Sequence, residues 1–149
     1  MVKKLNYPIT NTLMGLGGFP ATDAQFLGML GMHGTYEANM AMHDCDFMFC
    51  IGARFDDRIT GKTDEFSPNS TKVHIDIDPS SINKNIIVDV GIIGDIKVSI
   101  EKFLKVWHER GSKRNTKELK SWWKEIEAWK EIDCLNFNNS TKVIKPQYA

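Results

Sequence analysis

Gly52-Ala53-Arg54-Phe55-Asp56-Asp57-Arg58 places two arginines and two aspartates directly after the apolar run 47–51. A guanidinium fork matches a carboxylate or a phosphate at two points, and neighbouring carboxylates can hold it in place. On a solvated loop the same charges would make ion pairs worth little each. Their position, where a buried strand should end, favours a ligand role. Other apolar runs end in the same way: residues 8–13 at Gly15, Gly17 and Gly18; residues 73–77 at Asp78-Pro79; and Ile92-Ile93 at Gly94-Asp95. Glycine lets the phosphates or rings of a cofactor approach the backbone closely. An acid at a strand end can accept from a ribose or ribityl hydroxyl. The pattern suggests a nucleotide-type cofactor across the top of a sheet. The plainer alternative is a set of tight turns. No G-x-G-x-x-G is present, and Gly15-Leu16-Gly17-Gly18 only partly resembles one. In Gly31-Met32-His33-Gly34, His33 could donate to a cofactor or act as a general acid, although a lone loop histidine more often does neither. His43, His74 and His108 lack H-x-x-H or H-E-x-x-H spacing, so no metal site is expected.

The elements that must position these residues are short. Strands are expected over residues 8–13, 47–51, 73–77 and around 92–93, each closed by Gly or Asp. Continuous apolar runs of this kind fit strands buried on both faces. A helix is expected over residues 35–43. Asp95 is a natural N-cap for a second helix, with Ile96, Ile100, Phe103, Leu104 and Trp107 in one stripe and Gly111 as its C′ residue. Residues 111–116 read as a linker. Leu119, Trp122, Trp123, Ile126 and Trp129 then recur at helical spacing, an aromatic face for the core or a neighbouring domain. Residues 136–149 read as a connector. Strands alternating with helices imply an α/β fold with a parallel sheet.

The 149 residues are the size of one domain. Lys+Arg and Asp+Glu are both 19, so zero net charge gives no electrostatic reason to expect nucleic acid or an anionic membrane. Three cysteines without C-x-x-C suggest a reduced, cytoplasmic context, with Cys45 and Cys50 as small buried hydrophobes. The longest apolar run is too short to span a bilayer, and no signal peptide is recognisable.

Taken in order, Thr10-Asn11-Thr12-Leu13-Met14-Gly15-Leu16-Gly17, Leu30-Gly31-Met32-His33-Gly34-Thr35, Gly52-Ala53-Arg54-Phe55-Asp56-Asp57-Arg58, His74-Ile75-Asp76-Ile77-Asp78-Pro79 and Gly94-Asp95 resemble the central domain of acetolactate synthase (acetohydroxyacid synthase) large subunits. The resemblance runs from about Leu5 to Trp107. Ile144-Lys145-Pro146-Gln147 resembles the opening of that family's third, thiamine-pyrophosphate-binding domain. It implies a Rossmann-like parallel sheet flanked by helices that binds FAD in an extended pose, here with its first strand missing. Thr12, Leu13 and Met14 would line the flavin, with Gly31, Met32 and His33 beside it. Gly52, Ala53, Arg54 and Asp56 would meet the diphosphate and sugar region. Asp76 and Ile77 would reach the adenosine end, and Gly94 and Asp95 would close over it. Arg58 would recognise the carboxylate of a second 2-keto acid, with Met32 and Asp57 near the substrate channel.

The resemblance also implies a thiamine-diphosphate- and Mg²⁺-dependent enzyme of branched-chain amino acid biosynthesis. It condenses pyruvate with pyruvate or 2-ketobutyrate and releases CO2. Its FAD does no net redox chemistry. Its partners are a homodimeric or tetrameric assembly and a regulatory small subunit. On this reading residues 1–110 form a truncated FAD-binding domain, and residues 111–149 form a linker with one amphipathic helix leading to an absent thiamine-pyrophosphate-binding domain. No catalytic residue lies in the chain, which alone should not turn over pyruvate. The missing strand leaves sheet edges open and invites oligomerisation. The alternatives are a stand-alone, non-catalytic FAD- or nucleotide-binding module, and a fragment of a related thiamine-diphosphate carboligase.

Overall fold

Five short strands carry the fold, and they form two parallel sheets. The computed structural model describes residues 1–148. After a single helical turn, α1 (Val2–Leu5), β1 (Ile9–Asn11) pairs with β2 (Phe26–Met29). Then follow α2 (Tyr36–Asp44), β3 (Phe47–Ile51), the short α3 (Asp57–Thr60), β4 (Thr71–Asp76), β5 (Val90–Ile93), α4 (Ile96–Glu109) and α5 (Thr116–Lys130). β4 sits between β3 and β5, in register from Phe47 opposite Thr71 to Ile51 opposite Ile75. Among the described residues β1 therefore has β2 as its one partner, and β3 has β4 as its one partner.

The core divides as the sheets do. Leu27 of β2, Ala38 and Ala41 of α2, and Ile126 of α5 bury together, with Trp122, Trp123 and Trp129 packed around them. Phe55, Phe66, Ile86 and Val88 form the second cluster, against Met48 and Cys50 of β3. Period-two alternation sends Phe49 to the other face of β3, where its ring lies 5.5 Å from that of Phe103 on α4. α2 serves both clusters, with Ala38 and Ala41 in the first and Met42 in the second.

The helices start and stop where their sequence dictates. Thr35 caps α2 by accepting from Ala38 N, and Asp95 caps α4 by accepting from Val98 N. α4 ends in a Schellman turn: Ser112 N donates to Trp107 O (3.1 Å) and Gly111 N to His108 O (3.0 Å), with Gly111 at φ 60°. The Trp-bearing helix packs onto α2 through its aromatic face. Its Trp123 Nε1 donates to Asn6 O at 2.9 Å.

Burial of the strands on both faces does not hold throughout. All four residues of β5 are exposed and Phe47 is exposed. Among the described residues β3 and β5 are the edges of their sheet, so neither gains the cover a central strand has. The strand β2 was not expected at all. Among the described residues no helix is long and apolar enough to cross a membrane.

Candidate functional site: loops at the carboxyl ends of the strands

Each of the five strands delivers one of the expected segments at its carboxyl end. Past β1, Thr12 accepts from Gly15 N at 3.0 Å and starts a 3-10 turn, Leu13–Gly15. That turn pushes Leu13 and Met14 outward, and Met14 is 92% exposed. Past β2 lies the turn holding Gly31, Met32 and His33, with Met32 and His33 both exposed. Past β3, Gly52 stands at φ 59° and its N–H still donates to Ile75 O at 2.8 Å. Asp76 is the last residue of β4, and Ile77 beyond it is exposed. Past β5, Gly94 N donates to Asp76 O at 2.9 Å, and Asp95 follows as the α4 cap.

The structure brings some of these residues together. Met32 N donates to Arg58 O at 3.3 Å, which links the loops after β2 and β3 and so joins the two sheets. Arg54 pairs with Asp56 at 3.8 Å on the surface, a contact worth little by itself. Asp56 also caps α3 by accepting from Asp57 N at 3.0 Å. Hydrogen bonding at Asp57, helped by the Arg54 and Arg58 guanidiniums, holds the Asp56 carboxyl below its usual range. Arg58 is exposed and takes part in no ion pair among the described residues. Asp56 thus holds one arginine of the pair, and Arg58 has no ion-pair partner among the described residues.

The residues present fit an extended flavin nucleotide. Leu13, Met14 and Met32 expose apolar surface suited to a ring. Arg54 offers a cation for a diphosphate. Asp76, at the end of β4, has Oδ1 engaged by Asp78 N at 2.9 Å and Oδ2 turned toward His74. The chain matches the family described as thiamine pyrophosphate enzyme, central domain, over residues 1–103. The chain belongs to this family. It is 53% identical over 145 residues to the acetolactate synthase large subunit of Haemophilus influenzae, covering 97% of this chain and 25% of that protein. It is 47% identical over 146 residues to the acetolactate synthase isozyme 3 large subunit of Escherichia coli, covering 98% of this chain and 25% of that protein. A Buchnera aphidicola acetolactate synthase large subunit is 46% identical over 145 residues, 97% of this chain and 25% of that protein. The chain thus spans about a quarter of the length of the curated relatives it matches.

Within this central-domain fold the sheet carries polar side chains beneath the site. Lys72, His74 and Asp76 alternate onto the inner face of β4, and all three are buried. Lys72 Nζ is satisfied by the carbonyls of Ser67 (2.8 Å) and Ser70 (3.1 Å). Burial pushes the Cys50 thiol up to about 12, so it remains a thiol donating to Ala53 O at 2.9 Å. His74 is 0% exposed and lies edge-on to Phe55, and among the described residues neither ring nitrogen makes a well-formed hydrogen bond. Burial lowers its pKa, against the opposing pull of Asp76, whose Oδ2 is 3.7 Å from Nε2.

A histidine kept neutral in the folded state and free to protonate when unfolded stabilises the fold above its unfolded pKa. That contribution is lost as the pH falls through the lower folded value. The melting temperature is therefore expected to fall on acidification from about pH 7.5 to about pH 5.5, a window centred on the ordinary histidine value and above most carboxylate titrations. In His74→Leu the slope over this window should flatten. Scanning calorimetry at both pH values checks this, and an equal slope in the variant would assign the effect elsewhere.

Several neighbours of the site had no sequence signal. Asn85 Nδ2 donates to Phe55 O at 2.5 Å, and Ser81 and Lys84 join Arg54 and Asp56 around a cavity of about 70 Å³. Short polar residues between strands read only as loop. Asn39 sits in a helix and was equally silent. The larger hollow, about 230 Å³, is lined by residues of the C-terminal tail alone.

Proposed function

We propose that this chain is the FAD-binding portion of an acetolactate synthase large subunit. The observation that carries the reading is that all five parallel strands end in the segments whose types suit that cofactor. In open parallel sheets, ligands lie outside the carboxyl ends of the strands. The similarity to acetolactate synthase large subunits over nearly the whole chain supports it.

On this reading, Thr12, Leu13 and Met14 flank the flavin ring, and Gly31, Met32 and His33 approach it from β2. Gly52, Ala53, Arg54 and Asp56 hold the diphosphate and sugar, Asp76 and Ile77 the adenosine end, and Gly94 and Asp95 the far side. Arg58 binds the carboxylate of the second 2-keto acid, with Met32 and Asp57 beside the channel. A free guanidinium fork is the group such a carboxylate requires. Thiamine diphosphate with Mg²⁺, held by parts of the whole protein outside these residues, supplies the carbanion chemistry. This chain's residues bind, orient and exclude water. The whole protein joins two 2-keto acids with loss of CO2, works in the cytoplasm as an oligomer, and associates with a regulatory subunit. Residues 1–110 make the FAD-binding unit, and residues 111–149 lead to the thiamine-pyrophosphate-binding domain.

The test is a titration of the purified chain with FAD, followed by flavin fluorescence. Saturable quenching near one equivalent is expected. A well-folded sample that leaves the fluorescence unchanged would refute flavin binding by this chain.

A further inference from the structure

Asn39 lies in α2, outside every segment considered for ligand contact, and is half-buried. Its side chain is spent entirely on the turn that precedes the helix. Oδ1 accepts from Gly31 N at 2.8 Å, while Nδ2 donates to Gly31 O (3.0 Å) and Thr35 O (3.1 Å). An amide placed this way replaces a pairing peptide, because it engages both the N–H and the C=O of one residue. The main chain adds two bonds across the turn, Gly34 N to Gly31 O at 2.9 Å and Thr35 N to Met29 O at 3.1 Å, and neither engages the Gly31 N–H.

Gly31, held at φ 93°, is packed so tightly against the Arg58 carbonyl that no Cβ would fit. The next residue, Met32, donates its N–H to that same carbonyl. A continuous path of contacts therefore runs from the α2 side chain through Gly31 to the backbone of Arg58. Met32, 68% exposed, and His33 project from the far side of the turn.

We propose that Asn39 is a positioning residue: it clamps the Gly31–Met32–His33 turn onto the Arg58 carbonyl. It thereby sets the spacing between the loop expected to meet the flavin and the loop expected to meet the 2-keto acid. The inference rests on the flavin reading for its functional consequence, while the clamp stands on geometry alone. Spacing of this kind matters because misplacement by about 1 Å weakens binding and chemistry alike.

The experiment compares the chain with Asn39→Asp and Asn39→Ala. Aspartate keeps the shape and the acceptor for Gly31 N, but turns a carboxylate oxygen toward the carbonyls of Gly31 and Thr35. Two readouts are taken: FAD affinity per folded molecule, and amide hydrogen exchange at Gly31 and Met32. In the unsubstituted chain both amides should be protected well beyond that of exposed Gly17. In both variants that protection should collapse while Ala41 stays protected, and FAD affinity should fall about ten-fold or more. A merely structural role would lower the melting temperature without changing affinity per folded molecule.

Equal FAD affinity in all three proteins would overturn the functional role. Free exchange at Gly31 in the unsubstituted chain would overturn the clamp, even if neither variant folds. If the unsubstituted chain binds no FAD but the Gly31 and Met32 amides lose protection in Asn39→Asp, the clamp stands and the flavin reading falls.

Discussion

Replacing Gly31 by alanine is expected to destabilise the chain by about 2–4 kcal/mol, since a positive φ and a backbone clash act together. The residue stands at φ 93°, a region that side-chain-bearing residues rarely adopt. An added Cβ would fall on the Arg58 carbonyl oxygen and come within 3.2 Å of both the Arg58 carbonyl carbon and the Ile59 Cα. All three are backbone atoms of α3, so relief requires the loop and the helix to part. The melting temperature should drop by roughly 5–15 °C, given the usual entropy of unfolding for a chain of this size. The Met32–Arg58 hydrogen bond should go with it, and flavin binding should be lost or much weakened. Gly17 is the control: it too has a positive φ, 89°, but a Cβ there meets nothing within 4 Å. Gly17→Ala should cost only the backbone term, about 1–2 kcal/mol. Thermal unfolding of the two variants side by side separates clash from conformation. Equal losses would mean that the loop does not rest on α3.

The second large effect is expected at Ile126, which is 0% exposed between α5 and α2. Truncation to alanine removes three buried carbons and leaves a cavity lined by Leu27, Ala38, Ala41 and the surrounding tryptophans. Losses for such changes run to about 2–5 kcal/mol. Besides the tryptophan packing, α5 is tied to the body by the Trp123 bond to Asn6 O and a Lys130 bond to Ala24 O at 3.0 Å. The urea midpoint should therefore shift strongly. The near-ultraviolet signal of the Trp122–Trp129 edge-to-face pair, at 5.5 Å, should weaken before the helical signal does. A change within about 0.5 kcal/mol, typical of surface positions, would place α5 in solvent instead.

What the sequence made legible follows from how local each determinant is. β3 coincides with its apolar run because five consecutive apolar residues leave no other economical placement. β4 begins earlier than expected, at Thr71, because Lys72 pairs in the ladder while its ammonium finds carbonyls, which a polarity pattern cannot foresee. β2 escaped notice because Gly28 at φ 95° interrupts Phe26–Met29 and the register with β1 is irregular. α3 begins at the end of the Arg-Asp motif, where the charges carry no helical periodicity of their own. The site loops were visible because Gly and Asp punctuate strand ends. Asn39 was not, because its role depends on a turn eight residues earlier in the chain folding back onto it. Exposure of β5 was equally hidden, being a property of neighbours that no stretch of its own residues encodes.

The division into two hydrophobic clusters, one per sheet, bears on how the molecule comes apart. Each sheet has its own small cluster, and regions with few buried apolar contacts open at lower free energy than a large continuous core. The two are coupled by α2, which contributes to both, and by the backbone bond from Met32 to Arg58. A ligand that touches loops from both sheets binds only when both are closed at once, so its binding energy is drawn on by each region's opening equilibrium. Such a molecule needs no reactivity of its own to be indispensable: it would make two marginal regions melt as one.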